Sequence, residues 1–410
     1  MRILGQSRRR YSGPTSQSNR EREVQLTGAK IKLDTMLGPA WRNEVEVRRS
    51  EIAGRIAGRT DVVMFGSGYL GRHVYRDLDA LPFNVVAFVD NDSTLWGSSI
   101  DGLEILSPED AVARFGQDAL WLITIYTNSR VIEQCRALGV PWVTCAELSW
   151  VLPEPHPQSL VFGSPERLAS SAMEIEAAAS IWADAESQAE YRSQVRWRFL
   201  LDYAALRPPR PMAELYFPSD LIRPLPDEVF VDCGAFTGDT IEAFIAGRGG
   251  QFGQIVAVEP DPLNCRALQD RVDGWSRSGV GPIRIEPLAV GSRRGRLQFE
   301  ATGTAGSSIG SGLDIVEVAP LDELCADLRP TYFKFDVEGA EHDALVGASG
   351  TIRSNRPVLA VCLYHRPEDL WDIPLLVRSL VPEYRLHVRR HSDERWETVL
   401  YAVPPGREVS

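Results

Sequence analysis

The segment VFVDCGAFTGDT, at residues 229–240, constrains the fold of this chain more than any other stretch. The pattern predicts a short apolar strand that ends in Asp232, then a turn of small residues, then a helix. Glycine in such a turn lets the backbone approach a ligand closely, and the first helical turn presents free N–H groups at the positive end of the helix dipole. We therefore predict a site at the carboxyl edge of a parallel sheet, where open α/β folds bind nucleotide-like ligands.

A second predicted strand, in QIVAVEPDP (254–262), ends in Glu259. A carboxylate about 20 residues after a glycine-rich turn is placed to accept hydrogen bonds from both hydroxyls of a ribose. The alternative is that this acid only complements the dipole of the next helix, because Pro260, Asp261 and Pro262 are typical of a helix start. We favour the ribose interpretation because the turn after Asp232 precedes it.

Composition excludes several classes of protein. The 410 residues leave room for two or three domains, and a formal net charge of −12 argues against a nucleic-acid partner, since no excess positive charge is available to meet phosphates. Six scattered cysteines predict neither a disulfide framework nor a zinc site. Residues 1–25 have the composition of a disordered tail rather than a signal peptide, and no apolar run is long enough to span a membrane. We expect a cytoplasmic protein; its oligomeric state is not indicated.

A strand–helix repeat predicts a first domain over residues 40–150. Within it, DVVMFGSGYLGRHV (61–74) carries a glycine fingerprint between a strand and a helix, and an acid follows the next strand. The candidate nucleotide site consists of Gly66, Gly68, Gly71 and Asp90. Together with IDGLEIL (100–106), the pattern resembles nucleotide-sugar-binding Rossmann modules of sugar-modifying enzymes. Two interpretations stay open: a nucleotide or nucleotide-sugar site, or a scaffold that binds no ligand.

Residues 151–211 are predicted to form a linker and a helical bridge, with prolines at the start and a helical stretch over 165–206. The second domain is predicted over residues 212–404. Its strands alternate with helices and end in two strands joined by a short polar turn, in which we expect His387 and His391 to lie at the surface. A parallel doubly wound sheet closed by an antiparallel hairpin is the strand arrangement of S-adenosylmethionine-dependent methyltransferases.

Several motifs of the second domain occur in the order of one known family. They are VFVDCGAFTGDT, VAVEPDP, LAVGS, LDEL (321–324), KFDVEGAEHDAL (334–345) and the LYH that ends strand five. Over roughly 190 residues they resemble the FkbM family of methyltransferases. The resemblance implies a Rossmann-like methyltransferase fold with a mixed seven-stranded sheet. It also implies methyl transfer from S-adenosylmethionine to a hydroxyl of a sugar, glycan or related natural-product acceptor.

Carried over by position, the resemblance assigns a set of cofactor-binding residues. They are Asp232, Gly234, Ala235, Gly238, Asp239, Glu259, Pro260 and Asp261. Many methyltransferases recognise the adenine amine through an acid after strand three, but Leu288-Ala289-Val290-Gly291 offers none. The adenine contact therefore stays open.

The candidate catalytic residues lie at the ends of strands four and five. They are Lys334, Asp336, Glu338 and His365. Asp336 or Glu338 is expected to act as a base or to bind the substrate hydroxyl, and His365 is a further candidate base because histidine titrates near neutrality. A second interpretation has the acids hold a divalent cation, for which hard oxygen ligands are suited. A third is structural, with dipole complementation and an ion pair to Lys334.

The leading interpretation is thus a two-domain enzyme, with a nucleotide-binding-like module and an O-methyltransferase that acts on a small-molecule or glycan acceptor. The alternatives are an NAD- or nucleotide-sugar-dependent oxidoreductase and a non-catalytic nucleotide-binding protein. Against the oxidoreductase, the chain has no Tyr-x-x-x-Lys pair. Against the non-catalytic protein, acidic residues are present at positions 232, 259, 336 and 338, whereas a site that has lost its function tends to lose its buried charges first.

Overall fold

The computed structural model describes residues 36–78, 81–126, 128–152, 164–300, 308–309 and 314–409. The predicted tail (1–25) and most of the proline-rich linker lie outside these residues. Within them the chain forms three sheets, and no helix there is long and apolar enough to cross a membrane.

The first sheet has six strands in the order β3–β4–β2–β1–β5–β6, and all neighbouring pairs except β3–β4 are parallel. Its strands are β1 (Asp61–Phe65), β2 (Asn84–Val89), β3 (Ser99–Ile100), β4 (Leu103–Leu106), β5 (Leu120–Ile123) and β6 (Trp142–Thr144). Its helices are α1 (Trp41–Ile56), α2 (Tyr69–Leu78), α3 (Pro108–Phe115), α4 (Ser129–Leu138) and α5 (Cys145–Ser149). The central strands are apolar and buried because helices cover both faces of a parallel sheet.

The helical bridge is divided into α6 (Pro165–Ala169), α7 (Ala172–Ala178) and α8 (Ala185–Leu200). The sequence prediction of one helical stretch over residues 165–206 is therefore corrected: α8 ends at Leu200, and the stretch is broken at residues 170–171 and at residues 179–184. There the Ala183 N–H donates to the carbonyl of Leu386 at 2.8 Å, and Asp184 caps α8 by accepting the Ser187 N–H at 2.7 Å. A tertiary contact with a strand interrupts the helix, although its composition contains no helix breaker.

The second sheet has seven strands in the order β16–β17–β15–β14–β7–β8–β9. Its strands are β7 (Val229–Cys233), β8 (Gln254–Val258), β9 (Ile283–Glu286), β14 (Tyr332–Phe335), β15 (Val358–Cys362), β16 (Arg385–Arg390) and β17 (Thr398–Val403). The pairs from β15 to β9 are parallel, and β17 is antiparallel to both of its neighbours. The predicted fold class, with a mixed seven-stranded sheet and a C-terminal antiparallel hairpin, is confirmed.

A small third sheet, in the order β10–β13–β11–β12, is inserted after β9. It contains β10 (Ala289–Val290), β11 (Gly295–Glu300), β12 (Ser308–Ile309) and β13 (Asp314–Ala319). The helices of the C-terminal domain are α9 (Asp239–Gly247), α10 (Pro262–Arg277), α11 (Leu321–Leu324), α12 (Glu341–Gly347), α13 (Ser349–Asn355) and α14 (Asp369–Leu380).

The turn between β16 and β17 joins the two domains. Asp393 accepts hydrogen bonds from the backbone N–H and the hydroxyl of Ser129, at 3.0 and 2.7 Å, where α4 begins. The buried Glu394 accepts from the Asn128 amide at 2.5 Å and from the Tyr203 hydroxyl at 2.9 Å. The same hairpin therefore completes the second sheet and fixes the first domain against it.

The prediction that His387 and His391 lie at the surface is wrong. His387 is 6% exposed and its Nδ1 lies 2.6 Å from a carboxylate oxygen of Asp184. His391 is 3% exposed, with its Nε2 lying 3.1 Å from the Tyr401 hydroxyl. The helical bridge packs over β16 and buries a hairpin that by itself would be an exposed edge.

Candidate active site

The glycine-rich turn after β7 packs directly on the end of β14. Gly234 has a φ of +83°, and a Cβ built there would lie 1.8 Å from the backbone oxygen of Asp336. Below the turn, Lys334 Nζ donates to the Gly234 carbonyl at 2.7 Å and lies 3.1 Å from Asp232 Oδ1. Both charged side chains of this pair are buried. The structure thus places Lys334 and Asp232 beneath the turn, where they fix its backbone.

Asp232 and Lys334 each shift the pKa of the other. Burial raises the pKa of Asp232 to about 6, although Lys334 acts in the opposite direction. Burial would lower the pKa of Lys334, but the carboxylates of Asp232 and Asp336 raise it above its usual value. Lys334 therefore stays protonated at neutral pH and cannot serve as a base there.

Glu259, at the end of β8, connects the turn to the next helix. Its side chain is 5% exposed; Oε2 accepts the Phe236 N–H at 2.9 Å and Oε1 accepts the Asp261 N–H at 2.9 Å. Burial raises its pKa, while these backbone hydrogen bonds lower it. A carboxylate has about four lone-pair sites, so Glu259 keeps the capacity to accept ribose hydroxyls.

The other predicted cofactor residues have distinct local roles. Asp261 is the N-cap of α10 and accepts the Leu263 N–H at 2.7 Å, so its carboxylate serves the helix; Pro260 separates it from Glu259. Buried Ala235 donates its N–H to the Val258 carbonyl at 3.0 Å. Gly238 begins α9 with a φ of +90°, and Asp239 follows it, exposed, in the first helical turn.

Asp336 lies at the carboxyl edge beside this turn. The Tyr216 hydroxyl donates to its Oδ2 at 2.9 Å and the Tyr364 hydroxyl donates to its Oδ1 at 3.2 Å. Burial would raise the pKa of Asp336, but the positive charges of Lys334 and His365 hold it below its usual value. Two tyrosines and two cations therefore fix an ionised carboxylate in one orientation.

His365 follows β15 and faces three carboxylates. Its Nδ1 lies 2.8 Å from Glu341 Oε1, and its Nε2 lies 3.5 Å from Asp336 Oδ1 and 3.6 Å from Glu338 Oε2. Burial would lower the pKa of His365, but Glu341 and Glu338 raise it to about 10. His365 is thus positively charged at neutral pH, which disfavours it as the base of the resting site.

Glu338 is the most accessible acid of the group. It is 38% exposed, and its φ of +52° is uncommon for a residue with a side chain and recurs at functional sites. Burial raises its pKa to about 7, with further increases from Asp336 and Glu341 and a decrease from His365. Glu338 therefore changes its charge near neutrality at the open side of the cluster.

Tyr216 is a residue of the site that the sequence does not indicate. Its hydroxyl reaches Asp336 across 120 positions of the sequence, and its ring centroid lies 5.2 Å from Lys334 Nζ. A single tyrosine ahead of the first strand carries no local signal of such a contact. Glu341, which orients His365, follows the KFDVEG motif and was recognisable only as a first-turn acid.

The N-terminal candidate site has a compact glycine turn. A Cβ on Gly66 would lie 2.4 Å from Ile125 Cγ2 and one on Gly71 would lie 2.0 Å from the Gly66 carbonyl oxygen, whereas Gly68 faces open space. Asp90 accepts the Ser67 hydroxyl at 2.6 Å and the Ser67 N–H at 3.0 Å. Close packing accounts for the absence of a side chain at Gly66 and Gly71, and the hydrogen bonds of Asp90 to Ser67 stabilise the turn. Ligand binding here stays a prediction.

Residues 232–393, which contain both the glycine-rich turn and the acid cluster, match the family model described as Methyltransferase FkbM domain. This part of the chain is an FkbM methyltransferase domain. The resemblance inferred from the motifs is thereby confirmed for the C-terminal domain.

The fold, too, is similar to that of an FkbM protein. The crystal structure of methyltransferase FkbM from Methylobacillus flagellatus KT has a TM-score of 0.72 and 24% identity, covering 89% of this chain and 99% of that one. At this identity the likeness establishes the fold, and it extends over more than the FkbM domain.

Two further structures are much less similar. An rRNA methylase from Streptococcus thermophilus has a TM-score of 0.28 and 14% identity, covering 47% of this chain and 91% of its own. The SAH-bound methyltransferase PaMTH1 from Podospora anserina has a TM-score of 0.26 and 11% identity, covering 43% and 71%. Nothing is inferred from either. Among curated proteins, none matches this chain.

Proposed function

We propose that this protein is an S-adenosylmethionine-dependent O-methyltransferase that acts on a hydroxyl of a sugar, glycan or related natural product. The observation that carries the proposal is the contact between Gly234 and the backbone of Asp336. It brings a cofactor turn and an acid cluster to one edge of a single sheet in an FkbM domain.

The residues present fit this cofactor. When bound, S-adenosylmethionine would supply a methyl group on a positively charged sulfur. Glu259 would hold the ribose hydroxyls, and the small turn at Gly234 and Ala235 would let the backbone approach the nucleoside. The negative charge of the Asp336 carboxylate would stabilise the positive charge on the cofactor sulfur. Asp232 and Lys334 would act as positioning residues, since they are buried beneath the turn.

Glu338 is the residue best suited to remove the acceptor proton. A general base is most effective when its pKa lies near the working pH, and the pKa of Glu338 is about 7. In this proposal the hydroxyl proton moves to a carboxylate oxygen of Glu338 as the acceptor oxygen becomes nucleophilic. The positive charge of His365, whose Nε2 lies 3.6 Å from Glu338 Oε2, lowers the pKa of Glu338 and so favours its ionised form. Asp336 accepts a hydrogen bond that orients the hydroxyl.

A divalent cation is the second candidate for activating the hydroxyl. One ligand atom each from Asp336, Glu341 and His365 lies within 4.8 Å of the others. Such a cation would make the hydroxyl more acidic and remove the need for a side-chain base. We favour the base because Glu338 is the acid of the cluster that an acceptor can reach most easily, whereas Glu341 is buried and already lies 2.8 Å from His365 Nδ1.

Calorimetry with S-adenosylmethionine and S-adenosylhomocysteine tests the proposal. We expect both to bind the wild type, and Glu259→Ala to weaken binding about 10- to 100-fold, as expected for lost hydrogen bonds to a charged group. Asp270→Ala is the matched control, because Asp270 is an exposed carboxylate on α10. Absence of binding to both ligands, with NAD binding instead, would contradict the proposal and favour the oxidoreductase.

A further inference from the structure

The N-terminal domain brings an exposed aromatic side chain to the acid cluster. Tyr126, just after β5, is 38% exposed, and its ring centroid lies 4.5 Å from that of Trp396 in an edge-on arrangement. Trp396 lies in the turn between β16 and β17, and its centroid is 5.8 Å from that of Tyr364. The Tyr364 hydroxyl donates to Asp336. These three rings, here called the aromatic surface, extend from the exposed Tyr126 through the half-buried Trp396 to the buried Tyr364 at the candidate active site.

The segment that carries Tyr126 packs on the glycine turn of the first domain, since a Cβ on Gly66 would lie 2.4 Å from Cγ2 of the preceding residue, Ile125. Tyr69 begins α2 directly after the glycine turn. The glycine turn of one domain and the acid cluster of the other therefore lie at opposite ends of the aromatic surface, and the solvent-exposed space over Tyr126 is here called the interdomain cleft.

The walls of this cleft are fixed to each other. Asp393 and Glu394, two to three residues before Trp396, bind Ser129 and Asn128 at the start of α4. Those two residues closely follow Tyr126 in the chain. Hydrogen bonds thus hold the aromatic surface in place on both sides. Ligand binding would therefore cost little conformational entropy, because the side chains of this surface are already ordered.

The chemistry of the cleft selects its occupant. Aromatic rings offer a negative face that attracts the polarised C–H groups on the apolar face of a sugar ring. Carboxylates accept hydrogen bonds from sugar hydroxyls, and Asp336, Glu338 and the half-buried Glu397 lie at the inner end of the aromatic surface. The same negative charges repel a phosphate near the reacting hydroxyl.

We infer that the acceptor binds in this interdomain cleft with a neutral sugar ring on the aromatic surface, and that Tyr126 is a specificity-determining residue. The inference rests on the proposed function and adds the part of the site that selects the acceptor. A nucleotide attached to the sugar would extend from the aromatic surface toward Gly68, whose Cβ position is open. The first domain would then recognise the acceptor rather than serve only as a scaffold.

Saturation-transfer NMR on the full chain in the presence of S-adenosylhomocysteine tests this inference. The probes are the methyl glycosides of glucose, galactose, mannose and fucose, together with UDP-glucose and UDP. We expect at least one glycoside or UDP-glucose to bind the wild type through its sugar protons. Tyr126→Ala should weaken this binding about three- to tenfold, as expected for one lost aromatic contact, while Tyr126→Phe retains it.

The outcomes separate this inference from the proposed function. Unchanged S-adenosylhomocysteine affinity in Tyr126→Ala, with weaker sugar binding, supports the inference. Binding of UDP-glucose alone supports it with a nucleotide-linked acceptor. Binding of no sugar probe, or equal binding by wild type and Tyr126→Ala, overturns it even when S-adenosylhomocysteine binds. Failure of S-adenosylhomocysteine to bind the wild type would instead overturn the methyltransferase proposal.

Discussion

Gly234→Ala is the substitution whose effect follows most directly from the geometry. The new Cβ would lie 1.8 Å from the Asp336 carbonyl oxygen, where real Cβ contacts stay above 3.0 Å, so the turn and the end of β14 would have to separate by at least about 1.2 Å. The left-handed backbone, with a φ of +83°, adds about 1–2 kcal/mol for any residue with a side chain. The separation would also stretch the hydrogen bond from Lys334 to the Gly234 carbonyl.

We expect Gly234→Ala to lower the free energy of unfolding by about 2–4 kcal/mol, at the upper end of single-residue effects. Affinity for S-adenosylhomocysteine should fall at least about tenfold, because the displaced turn lines the nucleoside site. Urea denaturation and calorimetry measure the two effects. Gly247→Ala is the control, since Gly247 ends α9 in open space with an ordinary backbone. Wild-type stability and affinity in Gly234→Ala would refute the close packing of the turn on Asp336.

Three further predictions concern charge. Glu338→Gln should lower kcat about 10²- to 10⁴-fold without changing cofactor affinity. In the wild type, kcat/KM should rise with pH through about 7 as Glu338 ionises, and it should fall near about 10 as His365 loses its proton. A kcat/KM that does not change with pH would contradict these assignments. Burial raises the pKa of Glu394 to about 7, so the folded state binds this proton more tightly than the unfolded state. Glu394 should therefore contribute a decrease of about 3 kcal/mol to the free energy of unfolding between about pH 4.5 and 7, and urea titrations of Glu394→Gln should show a pH dependence smaller than that of the wild type by this amount. EDTA should leave the rate of methyl transfer unchanged. A loss of activity in EDTA that added Mg²⁺ restores would favour the divalent-cation alternative.

The second domain was predictable from sequence because its parallel strands are short apolar runs with chemistry at their carboxyl ends. Asp232, Glu259, Asp336 and His365 each follow such a run, and the ends of neighbouring parallel strands meet at one edge. Their proximity therefore follows from strand order alone. The closing hairpin was predictable for a related reason, since a strand of alternating polar and apolar residues and a strand of mostly apolar residues flank a short polar turn.

What the sequence could not supply are contacts between distant segments. The hydrogen bond from Tyr216 to Asp336 depends on a segment that precedes the whole sheet. The burial of His387 depends on the bridge helix α8, whose N-cap Asp184 covers β16. In both cases the local pattern describes the residue accurately as polar, but its partner is set by packing between elements.

The proposed function assigns the two tasks of a transferase to different parts of the chain. The cofactor side is built within the C-terminal domain, where Gly234 and Glu259 lie on adjacent strand ends. The acceptor side combines elements of both domains, because Trp396 packs against Tyr126 from the first. The two sides meet at Asp336, since Gly234 packs on its backbone and the Tyr364 hydroxyl donates to its carboxylate, so the effects of substituting Gly234 and Tyr364 on binding should not be additive. In this proposal the first domain would contribute to the choice of acceptor while the cofactor site stays within the C-terminal domain, which gives a physical reason for the two-domain arrangement.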